Sequence, residues 1–212
     1  MTAGGSLSVS MASIPNALSL KAGKDMSLMK VSSANSTVTL ESGQAITLQS
    51  ATAKGALSVT AGTGILASSL VSTTASINAI TARGGLQSQT VTGATGIRLK
   101  ATAGDLNVNA LSTSAGNVVL DAGALITLGS VTTPGLVDIS AGTGLSAASL
   151  VSIGSNIDVD SDAGLLSITK ATAKTDLDAQ AVAGALTVGT FTAATAQLKS
   201  GTDMTLTTGT TT

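Results

Sequence analysis

The chain has no cysteine, no histidine, no tryptophan and no tyrosine, and its only aromatic residue is Phe191. Without cysteine there is no disulfide framework and no thiolate chemistry, which suits an exported chain that must stay unfolded during passage. Without histidine, the zinc signatures and the serine and cysteine triads that need an imidazole base are excluded. Charge is scarce too, at 10% of 212 residues with a net of −1. That leaves no electrostatic footprint for nucleic acid or for an anionic membrane. Long apolar runs are missing. The longest uncharged candidate, residues 55–82, is broken every few positions by Ser, Thr or Gly, short of the roughly 20 predominantly apolar residues a span requires. No signal peptide is visible, since Met1 runs straight into Gly/Ser-rich repeats.

A 43% apolar chain without large rings must fill a narrow core with Leu, Val, Ile and Ala alone. Abundant Ser and Thr supply the solubility that charge usually provides. The apolar residues recur with a fixed period. Val31, Ala51, Val71, Val91, Leu111, Val131, Val151, Ala171 and Phe191 stand 20 positions apart, and a hydroxyl residue follows each one. Nine such coincidences arise by chance with a probability on the order of 1 in 100,000, so the chain is a stacked repeat.

Each unit holds three short apolar–polar–apolar runs. The first includes Leu18-Ser19-Leu20, Val38-Thr39-Leu40 and Ile157-Asp158-Val159; the second includes Met26-Ser27-Leu28, Ile46-Thr47-Leu48 and Leu186-Thr187-Val188; the third is the Val31 column. Period-two alternation predicts strands with one buried face. No stretch keeps a helical period for three turns. Between the first and second runs stands a glycine (Gly23, Gly43, Gly62, Gly104, Gly123, Gly142, Gly164, Gly184, Gly201), expected to take positive φ at a corner. The first run arrives one residue early at Leu57 and Val137, as corners that absorb single-residue changes would allow.

Three strands and three corners per repeat make one rung of a parallel β-helix. The fold class expected is therefore all-β, a right-handed parallel β-helix (β-solenoid) of about ten rungs of about 20 residues, with three short strands per rung. The hand follows from the rule for parallel crossovers. Residues 1–212 then form a single segment about 50 Å long at about 4.8 Å per rung. With no capping helix at either end, the chain reads as a piece of a longer shaft, and its uncapped rungs are open to end-to-end association.

Candidate sites are few. Asp138, Asp158 and Asp178 share one outward position in three successive rungs, with Asp160 and Asp162 close by. Such a stack reads either as a solvated acidic stripe that discourages lateral aggregation or as a divalent-cation or glycoside-cleaving site. The stripe is the favoured reading: cleavage needs two carboxylates about 5–10 Å apart with opposed pKa shifts, and an open polar face offers no burial to produce them. No catalytic residue, cofactor or metal site is assigned. Gly62-Thr63-Gly64 and Gly142-Thr143-Gly144 are too short for a dinucleotide fingerprint, and Asn35-Ser36-Thr37 is a glycosylation sequon by pattern alone. An ice-binding solenoid would need a regular array two residues wide, whereas this ladder of mixed Ser and Thr is one residue wide.

Units such as "VTLESGQAITLQSATAKGALSVTAG" and "GNVVLDAGALITLGSVTTPGLVDISAG" resemble the haemagglutinin repeats of filamentous haemagglutinin-type adhesins, exported by two-partner secretion. The likeness covers nearly the whole chain. It implies a β-helix shaft, secreted or on the surface of a Gram-negative cell, that holds a binding or effector tip away from that cell. It also implies an outer-membrane secretion partner for the parent protein, and host-cell glycans or receptors as targets of the full-length molecule. No catalytic residue comes with it, so a non-enzyme is expected. A glycan-binding or self-associating face of the rod is the alternative, and a polysaccharide-active β-helix enzyme a weaker one. The Arg-Gly-Asp motif of such adhesins has no counterpart; Arg83-Gly84-Gly85 is the nearest.

Overall fold

The computed structural model describes residues 1–212 and contains strands only. Short strands of five or six residues, such as Val38–Ser42, alternate with long ones of eight or nine, such as Ala45–Ala53. The first strand, Thr2–Ala3, is shorter still. Every short strand pairs in parallel with the next short strand, and every long strand with the next long one, giving two 11-stranded sheets. One short strand plus one long strand is one turn, so the chain is a β-solenoid of about ten turns, each one sequence repeat long.

Each rung thus has two strands where the sequence predicts three. The second and third runs are one continuous strand. In Met26–Ser33 the inward residues are Met26, Leu28, Val31 and Ser33, and Met29 and Lys30 both point outward between them. Two consecutive outward side chains break the period of two and bend the strand, so two strands enclose the core on three faces.

That core is a single cluster of 53 buried aliphatic and small residues, with Phe191 as its one ring. The ring sits where Val131 and Ala171 sit in lower rungs, and the residue stacked above it is Gly209. A Cβ there would collide with the Phe191 ring, so the large residue is matched by the smallest.

Strands are constant and corners are not. From Ser42 to Ile46 the chain takes four steps, from Thr81 to Leu86 five. In the rungs that begin at Leu57 and Val137 both corners are short, and there the strict period fails. Leu70, not Val71, occupies the buried column between Ala51 and Val91, and Leu150, not Val151, sits between Val131 and Ala171. Val71 and Val151 face outward, in the hydroxyl column beside Thr52 and Thr132. Because Leu and Val are adjacent in both places, either fits an apolar column, and sequence spacing chose the wrong one.

The corner glycines have a different cause from the one expected. Of the nine, only Gly164 has positive φ, at 120°. The others are required by the stack: a Cβ on Gly43 would strike the carbonyl oxygen of Gly23 below it, and one on Gly62 that of Gly43.

The opposite corner carries a device with no sequence signal. Ser33, Ser72, Thr133 and Ser152 point inward and are buried. Ser152 Oγ donates to the Gly135 carbonyl one rung below at 2.7 Å and accepts from Ser155 N–H at 3.2 Å. Ser72 repeats this with Gly55 at 2.8 Å and Ala75 at 3.2 Å. Each hydroxyl ties two successive corners together and satisfies backbone groups that burial would otherwise strand.

Candidate functional site

The acidic residues lie on the outward face of the short-strand sheet. Alternation puts Ile157, Val159 and Ser161 inside and Asp158 and Asp160 outside. Parallel pairing then stacks Asp138 on Asp158 and Asp158 on Asp178, with Asp160 between Ser140 and Gln180 in the next column. The sequence-predicted ladder is therefore real as geometry. Asp162 lies in the corner that follows, and Asp176 opens the strand that carries Asp178.

Carboxylates at this spacing disfavour one another's charge. Partial burial, then Asp160, Asp178 and Asp138, hold the Asp158 carboxyl above the ordinary carboxylate range. Asp160 is raised chiefly by partial burial and then by Asp178, Asp162 and Asp138, with Lys199 pulling the other way. Asp178 Oδ1 is shielded from solvent and has no hydrogen-bond partner. None of Asp138, Asp158, Asp160 and Asp178 has a cation within ion-pair distance, because the two salt bridges are Lys21–Glu41 and Lys100–Asp121.

A shallow cleft on this face is lined by Asn156, Asp158, Asp176, Asp178 and Gln197. Asp158 in this cleft and Asp160 in the next column outside it are displaced in the same direction, whereas an acid–base pair needs them pushed apart. No group of three or more acidic side chains converges as a metal ligand set. Stacked carboxylates on a straight ladder all point outward side by side, which is unlike a cage.

The other candidates are dispersed. Gly62 and Gly142 are corner glycines whose backbones sit directly on the rung below, and Gly64 and Gly144 open the strands that follow. Asn35 lies exposed in a corner. A second cleft, of about 420 Å³, opens on the long-strand sheet where Ala45, Gly64 and Gly85 leave a notch beside exposed Leu66 and below Asp105. Sequence reading missed it because three small residues are aligned there only by stacking. No helix is long and apolar enough to cross a membrane. The hydroxyl face is wider than the one-residue ladder expected: Thr90 beside Thr92 and Ser130 beside Thr132 point outward together, but Lys170, Val71 and Val151 interrupt both columns. Comparison with protein-family models, with curated proteins and with solved structures found no match to this chain.

Proposed function

We propose that the chain is a length of structural shaft from a secreted or cell-surface bacterial filamentous adhesin, holding a binding or effector tip away from the cell. The observation that supports this most is the unbroken dry axis. The aliphatic cluster runs through the stack with no long loop inserted at any corner. Solenoids whose faces bind or cleave polymers build their clefts from loops on such a frame; here every corner is a few residues long. A rod of this kind resists bending because each rung is hydrogen-bonded across its width to the next, with 160 backbone–backbone bonds in 212 residues.

An array of neutral and acidic glycans probed with the chain tests the reading. No saturable binding is expected of a spacer. Saturable binding would replace the shaft with an adhesive face. Turnover of an acidic polysaccharide that disappears in Asp158→Ala would make the protein an enzyme. The coding sequence upstream tests the export route separately: the proposal expects a secretion domain there, followed by further units of the same period.

A further inference from the structure

We infer that the short-strand face pairs with the same face of a second copy, the two rods running antiparallel. The basis is a charge pattern that reverses sign about one rung. Seven of the ten Lys and Arg residues lie in residues 1–100, and nine of the eleven Asp and Glu residues in 101–212. The boundary is the strand Val118–Ala122, where Lys100 bridges Asp121.

On either side of that strand, opposite charges stand at equal numbers of rungs. Arg98 is one rung below and Asp138 one above, in one column with Val119 between them. Arg83, in the corner after Ser76–Thr81, is two below, and Asp162, in the same corner after Ile157–Ser161, is two above. Three rungs out the signs agree instead: Lys54 and Lys174 take the first position of the corners leading into Leu57–Ala61 and Asp176–Ala181, with Asp176 two residues beyond Lys174. Four rungs out, Glu41 and Lys199 share the Lys100–Asp121 column with the signs exchanged.

A two-fold axis lying in the face, along Val118–Ala122, keeps each column and reverses the order of rungs. It sets Arg98 on Asp138 and Lys199 on Glu41 and brings Arg83 into the corner of Asp162, each twice, as an isologous contact requires. Asp158 and Asp178 fall opposite Asn78 and Ser58, and Asp160 opposite Ile80, one rung from Lys100 of the second copy. Two like-signed pairs arise: Asp121 with itself, where each Asp121 carries its own Lys100, and Lys54 with Lys174, which has Asp176 two residues further along. Moving the axis down by half a rung would put Lys199 on Lys21, so charge fixes the register. Val119, half-buried already, meets its own copy on the axis.

The area is sufficient. With four short strands above the axis the copies overlap over nine rungs; strands of five residues at about 3.3 Å and nine rungs at about 4.8 Å give a face of roughly 700 Å². Two such faces bury about 1,400 Å² in all, within the range of a specific interface. The inference is independent of the shaft reading, since a spacer and an adhesive rod could both be paired.

Sedimentation of the chain tests it. At roughly 20 mM salt the chain should sediment as a dimer that does not grow with concentration, and at about 0.5 M salt as a monomer. R98E alone and D138R alone should each weaken the dimer tenfold or more, and R98E/D138R should restore it, since the reversed pair remains complementary. In this cysteine-free chain V119C should form a disulfide-linked dimer at low salt, while T127C, on the long-strand sheet, should not. A monomer at low salt would overturn the proposal. So would association that is indifferent to salt and to R98E, or species that lengthen with concentration, because these would come from open rung edges instead of the face.

Discussion

Residues 25–104 and 105–184 are two versions of one four-rung block. The corner Gly62-Thr63-Gly64 returns four rungs later as Gly142-Thr143-Gly144, each followed by the same displaced Leu-Val pair. Asp25 and Asp105 open the blocks and make the same bond, accepting from the N–H of Ala45 at 3.1 Å and of Leu125 at 3.0 Å one rung up. Inside, most positions keep an aliphatic residue in both blocks. Outside they diverge: Ser58, Asn78 and Arg98 in the first become Asp138, Asp158 and Asp178 in the second. A stacked core demands apolar side chains and leaves outward chemistry free, so one frame carries two different surfaces.

That contrast breaks most severely if the interior is given charge. Val91→Asp in the first block and Ala171→Asp in the second should each cost several kcal/mol, because both side chains are enclosed and a buried carboxylate lacks a partner. Denaturant unfolding should show similar losses in the two blocks. An unchanged midpoint for Val91→Asp would mean the column faces solvent.

Corner glycines come next. Gly104→Ala and Gly184→Ala place a Cβ against the backbone of the rung beneath, and each should lose about 1–3 kcal/mol as an overpacked site does. The corresponding change at Gly55, where the nearest atoms are 3.2 Å away, should cost less.

Ser72→Ala and Ser152→Ala are equivalent positions in the two blocks. Each leaves a buried carbonyl and a corner N–H without a partner, for about 1–3 kcal/mol. Amide exchange should quicken at Ala75 and Ser155 respectively, with distant rungs unaffected.

The smallest effect should separate the blocks. The folded-state pKa values of Asp158 and Asp160 are raised above the ordinary 3.8. Protonation therefore favours the folded state; its contribution is complete below that ordinary value and is lost as pH rises through the raised one. The acidic block should accordingly tighten on mild acidification, and Asp158→Asn should flatten that response. Amide exchange in residues 157–181 against residues 77–101, followed between pH 7 and about pH 4, checks it; equal behaviour in both would dismiss the carboxylate stack as a source of strain.

The stacking was legible in the chain because aliphatic residues at a near-constant period admit few other folds. Asp138, Asp158 and Asp178 could be placed together from the sequence because the rungs that carry them are regular where the short strands run. Two kinds of information were not legible. Ser and Thr serve both inside and outside, so nothing distinguishes Ser152, which clips two corners, from Ser149, which faces outward. The adjacent apolar pairs at 70–71 and 150–151 hide a one-residue shift that only the pairing register resolves. The four-rung block is masked for a related reason: its turns differ by a residue either way, which blurs the larger period behind the single-turn one.

Corners that vary while strands do not have a mechanical consequence. A turn one residue longer or shorter than its neighbour raises the stack by the same amount, so reach is counted in turns and not in residues. Excising residues 25–104 should leave the remaining faces in alignment and shorten the body by about 19 Å, four strand spacings. Duplicating or dropping such blocks would lengthen or shorten the body without redesigning a single contact.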